Sequence, residues 1–157
     1  MAKISEIMLL QQSTQPALII EAQTDISGLP VAIGESFMKI GAYIEEQGMA
    51  PADVPFVMYK DTGSMRAQQI RIIVGFKLAK ALPGHEDIKC VNLPEQKIAL
   101  CMYKGDSNEL MGLYKEMLEW IKSKGYEADG SSIEYYYSGP DVPESEQVTR
   151  IEIPLKN

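Results

Sequence analysis

Residues 28–48, GLPVAIGESFMKIGAYIEEQG, and residues 105–125, GDSNELMGLYKEMLEWIKSKG, decide the fold, because the second segment repeats the pattern of the first 77 positions later. Each segment begins and ends with glycine and carries apolar residues spaced four, three and four apart. That spacing places them along one face of a helix. The apolar residues are Ile33, Phe37, Ile40 and Ile44 in the first segment and Leu110, Tyr114, Met117 and Ile121 in the second. The sequence therefore predicts two equivalent amphipathic helices in two tandem modules.

Both predicted helices have recognisable ends. Leu29 and Pro30 open the first helix, and Asp106 or Ser107 is a suitable N-cap for the second. Gly48 and Gly125 follow the last apolar residue of each helix, where a left-handed C-terminal cap favours glycine.

Extended segments flank each helix. Two runs precede the first helix, at 4–11 and 17–24, and two precede the second, at 87–92 and 97–103. Run 56–59 ends in a turn at 61–63 and pairs with 69–76. Run 133–137 ends in a turn at 138–140 and pairs with 147–153. Residues 70–82 also suit a helix. We therefore predict an α+β fold in a single domain, 1–157. It consists of two duplicated strand–helix–strand–strand modules, about 1–80 and 81–157. The modules share one mostly antiparallel sheet and two helices. Neither module is expected to fold alone.

The composition and charge of the chain argue against several classes of function. The chain has 157 residues, with 15 Lys and Arg against 22 Asp and Glu and a net charge of −7. A protein that neutralises many phosphates needs the opposite balance, so direct nucleic-acid binding is not expected. No apolar run is long enough to span a membrane, and the N-terminus lacks a signal-peptide pattern, so we expect a cytoplasmic protein.

Metal and cofactor signals are weak. His85 is the single histidine and lies in a polar loop, where a solvated side chain is expected. Cys90 and Cys101 have no metal-ligand spacing. They are predicted to be buried free thiols that face each other across a hairpin turn around 93–96. We therefore expect neither a metal site nor a cofactor.

The two modules differ most tellingly in the strand that follows each helix. Val57 of the first corresponds to Glu134 of the second, within a run that is otherwise rich in aromatic residues. Alternation puts Glu134 and Tyr136 on one face of the strand, with Tyr135 on the other. If helices cover the Glu134 face, burial raises its pKa, as suits recognition of a cation or acid–base chemistry. The alternative is an exposed glutamate on an open face.

The second module resembles the GyrI-like effector-binding family, which includes the ligand domains of AraC- and MerR-type bacterial regulators. The resemblance covers most of 87–156 and is weaker in the first module, where Gly28, the helix and Tyr59 match. Its residues are Lys104-Gly105, Tyr114, Leu118, Trp120, Gly125, Glu134-Tyr135-Tyr136 and Ile151-Glu152-Ile153-Pro154.

The resemblance implies a small-molecule cleft between the modules, with Glu134 at its floor. Tyr136 falls on the same face, and Tyr59, its repeat partner, would line the cleft from the first module. Three helix residues are further candidate ligand contacts that could instead pack on the sheet: Trp120, Tyr43 and Phe37. The chain lacks the helix-turn-helix of the family's regulators, so it resembles a stand-alone version.

Three functions remain open. The favoured one is capture of a small apolar or cationic molecule, as in multidrug binding, for sequestration or transcriptional regulation. The second is hydrolysis of electrophilic xenobiotics, with Glu134 as base and Tyr136 or Tyr59 as orienting residue. The third is protein interaction, as in relatives that shield DNA gyrase, with the acidic second half as contact surface. A protein partner or a homo-oligomer is compatible with each.

Overall fold

A computed structural model describes residues 3–60 and 69–156, with only the backbone of Ser107. It has the predicted α+β architecture, with two α-helices and one eight-stranded antiparallel sheet in the described residues. The predicted turn at 61–63 lies outside them. The elements in chain order are β1 (Met8–Gln12), β2 (Gln15–Thr24), α1 (Leu29–Glu46), β3 (Phe56–Tyr59), β4 (Ile70–Lys77), β5 (Lys89–Leu93), β6 (Gln96–Lys104), α2 (Leu110–Ser123), β7 (Ser132–Tyr136) and β8 (Val148–Pro154).

The helix ends follow the predicted pattern with one difference. Gly48 and Gly125 have φ angles of 71° and 83°, which confirms the left-handed caps. Each is followed by a backbone N–H that bonds to a carbonyl in the last helical turn, from Met49 to Ile44 and from Tyr126 to Ile121. Asp106 accepts from the Asn108 N–H and so caps a 3-10 turn that precedes α2, not α2 itself.

The two halves exchange their first strands. The sheet order is β1-β6-β8-β7-β3-β4-β2-β5, so β1 adds to the second half and β5 adds to the first. The hairpin predicted around 93–96 is therefore wrong, because β5 pairs with β2 whereas β6 pairs with β1 and β8. Cys90 and Cys101 consequently lie on different parts of the sheet. Both are free thiols, but only Cys101 is buried, and Cys90 on edge strand β5 is half-buried.

This exchange forces the sheet to curl. Strands β1 and β2 are six positions apart in the sheet, a separation of about 29 Å if it were flat. Only Ser13 and Thr14 connect them, and three peptide steps reach about 11 Å. Strands β5 and β6 have the same separation and are joined by Pro94 and Glu95. The ends of the sheet must therefore approach each other.

Both helices pack on the same face of the sheet, the outer face of the curl. Helix α1 buries Ile40 and Ile44 against β2 residues, and α2 buries Met117 and Ile121 against residues of β6 and β8. The central strands β3 and β7 therefore lie between the two helices. The opposite face carries a separate apolar cluster, which includes Tyr135, and closes on itself without a helix.

The repeat has a four-residue difference. Lys77 and Pro154 are 77 positions apart, yet their cross-strand partners Ala17 and Ile98 are 81 apart. The first two strands of each half therefore follow an offset of 81, whereas the helices and last two strands follow 77. The first half has its four extra residues in the longer helix, because α1 has 18 residues and α2 has 14.

Candidate functional site

The carboxylate of Glu134 lies at the centre of the sheet, on the face between the two helices. The Tyr136 hydroxyl, two residues along β7, donates to Oε1 at 2.8 Å. The Tyr114 hydroxyl, from α2, donates to Oε2 at 2.7 Å. Each oxygen thus accepts one phenol, and helix and strand together fix the carboxylate in place.

Burial dominates the electrostatics of Glu134, whose exposed fraction is 9%. Desolvation raises the pKa of its carboxyl, and the hydrogen bonds from Tyr114 and Tyr136 oppose that rise. Within residues 3–60 and 69–156, no cationic side chain forms an ion pair with it. The ionised carboxylate therefore has hydrogen bonds but no counter-charge from the described residues.

Tyr59 and Tyr136 occupy the same face as Glu134 on the two central strands. Burial, followed by the charge of Glu134, raises the pKa of Tyr59 to about 12. The same causes raise the pKa of Tyr136 and of Tyr114 well above the ordinary range. All three phenols are therefore protonated donors at neutral pH.

Phe37 of α1 also lies beside the Glu134 site. Its ring meets the Tyr136 ring edge-to-face, with centroids 6.2 Å apart, and it makes a similar contact with Phe76 at 5.8 Å. It belongs to an apolar cluster on the first-half strands that also includes Val57 and Tyr59. The site is therefore bounded by an aromatic ring from each helix, Phe37 from α1 and Tyr114 from α2.

The site has two chemically different halves. The register pairs Val57 directly with Glu134. The 77-residue repeat also relates Phe37 to Tyr114 and Tyr59 to Tyr136. The first half thus contributes Val57 and Phe37 where the second contributes Glu134 and Tyr114, so one side of the site is apolar and the other is acidic and rich in hydroxyls.

Two sequence candidates lie in other surroundings. Tyr43 is buried beside His85, with their rings stacked at 5.4 Å, and its hydroxyl donates to the Pro83 carbonyl at 2.6 Å. Trp120 packs against the α2 core cluster, with the Lys124 ammonium 5.6 Å from its ring. Their role in ligand binding stays a prediction.

Tyr114 is absent from the ligand contacts that the sequence predicts. Its spacing predicts only a place on the apolar face of α2. The repeat carries a signal, because Tyr114 is the partner of Phe37, which is a predicted ligand contact. Half-burial on the helix face leaves its ring packed while its hydroxyl reaches Glu134.

Residues 3–60 and 69–156 contain no group of three or more His, Cys, Asp or Glu side chains placed to hold a metal ion. Their helices include none that is both long and apolar enough to cross a membrane.

The chain thus folds as a curled antiparallel sheet with two helices on one face and a tyrosine-held carboxylate between them. The chain belongs to the GyrI-like family, whose model, the GyrI-like small molecule binding domain, matches residues 5–156. No protein of curated function is matched by the sequence.

Solved structures share the fold at low sequence identity. The crystal structure of the EcmrR C-terminal domain has a TM-score of 0.78 and 17% identity, covering 98% of this chain and 99% of that one. EcmrR in a DNA complex has a TM-score of 0.80 and 15% identity over 97% of this chain, which spans only 57% of that longer chain.

Two further structures show the same fold in other proteins. A hydrolase encoded by lin2189 from Listeria innocua has a TM-score of 0.74 and 12% identity, covering 96% of this chain and 92% of that one. SAV2435 bound to tetraphenylphosphonium has a TM-score of 0.65 and 12% identity, covering 98% of this chain and 95% of that one.

Proposed function

We propose that this protein captures small aromatic or apolar cations between α1 and α2, in a groove beside Glu134. The observation that carries the proposal is the buried carboxylate of Glu134, which has two phenol donors and no described counter-charge. A ligand cation beside it supplies the missing charge. The binding of tetraphenylphosphonium by SAV2435, which shares the fold, supports this choice of ligand class.

The two halves of the site suit such a ligand. Aromatic faces attract cations, with about 0.5–2 kcal/mol for each contact. The side with Val57 and Phe37 offers apolar surface to the uncharged part of the ligand, while Glu134 and the Tyr136 ring face the charge. We propose that the captured ligand is either sequestered or presented to a regulatory partner.

The direct test is calorimetric titration with tetraphenylphosphonium and with neutral triphenylphosphine oxide. We expect the cation to bind at least tenfold more tightly, because only the cation compensates Glu134. Glu134→Gln keeps the size of the side chain and should abolish that preference. Glu119→Gln, an exposed position on α2, removes the same charge elsewhere and should leave binding unchanged. Equal binding of the cation by wild type and Glu134→Gln would contradict the proposal.

Binding should also depend on pH in one direction. Because burial raises the pKa of Glu134, the carboxyl stays protonated to a higher pH than an exposed glutamate. Cation affinity should fall as the pH drops through that raised pKa, and binding near it should release a proton. Titrations in buffers of different ionisation enthalpy measure that release, which Glu134→Gln should eliminate.

Hydrolysis of electrophilic small molecules is the second candidate. A glutamate with a raised pKa beside the Tyr136 hydroxyl is suited to accept a proton from water. Turnover of an epoxide or activated-ester panel that disappears in Glu134→Gln would favour this function. Stoichiometric binding without turnover would favour capture alone.

The third candidate, a protein-interaction role through the acidic second half, predicts no response to small cations. Unchanged melting temperature with a panel of hydrophobic cationic dyes, together with capture of DNA gyrase by the wild-type protein, would favour it. A dye response that Glu134→Gln removes would favour the groove.

A further inference from the structure

A second polar site lies on the opposite face of the sheet from Glu134, inside the curl. A cavity of about 340 Å³ opens there beside the β1–β2 connection. Four charged side chains from three different parts of the chain border it: Asp53, Lys77, Arg150 and Glu152. Such a concentration of charge inside a curled sheet is costly unless each group has a partner.

Arg150 is surrounded by acidic and aromatic side chains. Its Nη2 donates to Asp53 at 2.8 Å, and its Nη1 donates to the Tyr137 hydroxyl at 2.6 Å. Its Nε lies 3.0 Å from Glu152 Oε2 but makes no hydrogen bond. The guanidinium also lies 3.8 Å from the centroid of the Tyr135 ring. Arg150 is therefore a fixed part of the wall.

Three groups near it remain unmatched. Glu152 is 2% exposed, and its Oε1 has no hydrogen-bond partner. The hydroxyl of Tyr135, which is fully buried, has none either. Lys77 is 8% exposed; its ammonium contacts the Tyr135 ring at 4.8 Å, and none of the described carboxylates is within ion-pair distance.

These groups would be satisfied by a ligand that carries both an anionic group and a hydrogen-bond donor. Burial lowers the pKa of the Lys77 ammonium, although the charges of Glu152 and Asp53 oppose that shift, and none of the described carboxylates lies within ion-pair distance of it. Glu152 Oε1 lacks a donor, and burial raises the pKa of that carboxyl. A molecule with a carboxylate could pair with the Lys77 ammonium, and a hydroxyl on the same molecule could donate to Glu152 Oε1.

The rim of the cavity offers hydrogen-bond acceptors for hydroxyl groups beside the apolar side chains of Leu10 and Leu100. Gln12 and Gln15 border it, and each donates its carboxamide N–H to a backbone carbonyl, of Pro94 and Leu78 respectively. Their carboxamide oxygens can accept hydrogen bonds from several hydroxyls. We propose that this cavity is a second ligand site, distinct from the groove between the helices, for a small hydroxylated carboxylate of the sugar-acid class.

The test compares three probes of one chain length by calorimetry on the wild-type protein. Gluconate has both features, glucitol has hydroxyls without the carboxylate, and hexanoate has the carboxylate without hydroxyls. We expect gluconate to bind at least tenfold more tightly than either of the others. Amide chemical shifts should change at Lys77, Arg150 and Glu152 and remain constant at Glu134 on the other face.

A variant pair tests the lysine directly. Lys77→Met keeps most of the side-chain stem and should weaken gluconate binding at least tenfold, whereas Lys80→Met, which removes the same charge outside the cavity, should not. Cooperative thermal unfolding verifies that each variant is folded. The wild-type probe comparison requires no variant, so it decides the matter if Lys77→Met does not fold. Equal weak binding of all three probes, or shift changes confined to the helix-bearing face, would overturn the proposal.

Discussion

Val57 and Glu134 occupy equivalent positions in the two halves and are also direct partners across strands β3 and β7. The approximate twofold axis of the molecule therefore passes between them. Directly opposed residues of an antiparallel pair have Cα atoms about 4.5–5.5 Å apart, so two carboxylates here would repel each other in a desolvated site. A valine opposite a glutamate leaves a single carboxylate at this central pair, and it makes the nearly symmetric region between the helices chemically asymmetric.

Glu134→Gln should have a larger free energy of unfolding than wild type, and the difference should grow as pH rises. A carboxyl with a raised folded-state pKa contributes its full stability below the unfolded-state value near 4.5, and that contribution is lost as pH rises through the folded pKa. Glutamine does not ionise, so the difference should be smallest near pH 4. Urea unfolding at pH 4 and pH 8 measures this, and Glu119→Gln is the control. A constant difference between the two pH values would contradict the burial of an ionising Glu134.

Tyr114→Phe should raise the pKa of Glu134 further, because its hydroxyl stabilises the ionised carboxylate. The loss of one such hydrogen bond should cost about 0.5–3 kcal/mol at pH 8. Carbon-13 chemical shifts of the Glu134 carboxyl follow the titration directly. In a Glu134→Gln background the same substitution should have a smaller effect, and equal effects in both backgrounds would show that the hydroxyl acts independently of the carboxylate.

Moving the carboxylate across the axis, with Val57→Glu and Glu134→Val together, should destabilise the protein by about 1–3 kcal/mol at neutral pH. Position 57 has Tyr59 as the equivalent of Tyr136, but Phe37 has no hydroxyl where Tyr114 has one. Adding Phe37→Tyr should recover part of the loss. Denaturant unfolding of the double and triple variants measures it. A double variant as stable as wild type would show that the tyrosines are not what accommodates the charge.

Gly75→Ala should destabilise the protein by about 1–3 kcal/mol. A Cβ on Gly75 would lie 2.7 Å from the Leu18 carbonyl oxygen and 2.8 Å from Phe56 Cζ, so the curled sheet leaves no room for it. Gly112→Ala is the opposite control, since it meets open space on α2 and should stabilise the helix by about 0.5–1 kcal/mol. Thermal unfolding that is unchanged by Gly75→Ala would show that the sheet can relax there.

Neither half should fold alone. Residues 81–157 expressed separately lose β1 from one side of β6, and their own β5 loses its partner β2. Far-ultraviolet circular dichroism should show little structure for this fragment. Mixing it with residues 1–80 should restore cooperative unfolding. A cooperative transition in the isolated fragment would contradict the dependence of each half on the strand it receives.

Local features of the fold were predictable because they depend on residues close in sequence. The spacing of Ile33 to Ile44 identified α1, and Gly48 and Gly125 marked the ends of both helices. Alternation in β7 correctly placed Glu134 and Tyr136 on one face. The burial that raises the pKa of Glu134 was conditional on helices covering that face, and they do.

The sequence by itself determined the duplicated architecture and the central strand position, Val57 against Glu134, at which one half carries a carboxylate and the other does not. Only the tertiary structure decided which strands pair, because strand exchange depends on hydrogen bonds between residues far apart in the chain. It also brought Tyr114 to Glu134, and Lys77 to Tyr135 beside Arg150 and Glu152. Spacing along a helix or strand defines which face a residue occupies, but what meets that face is set by how the whole sheet curls.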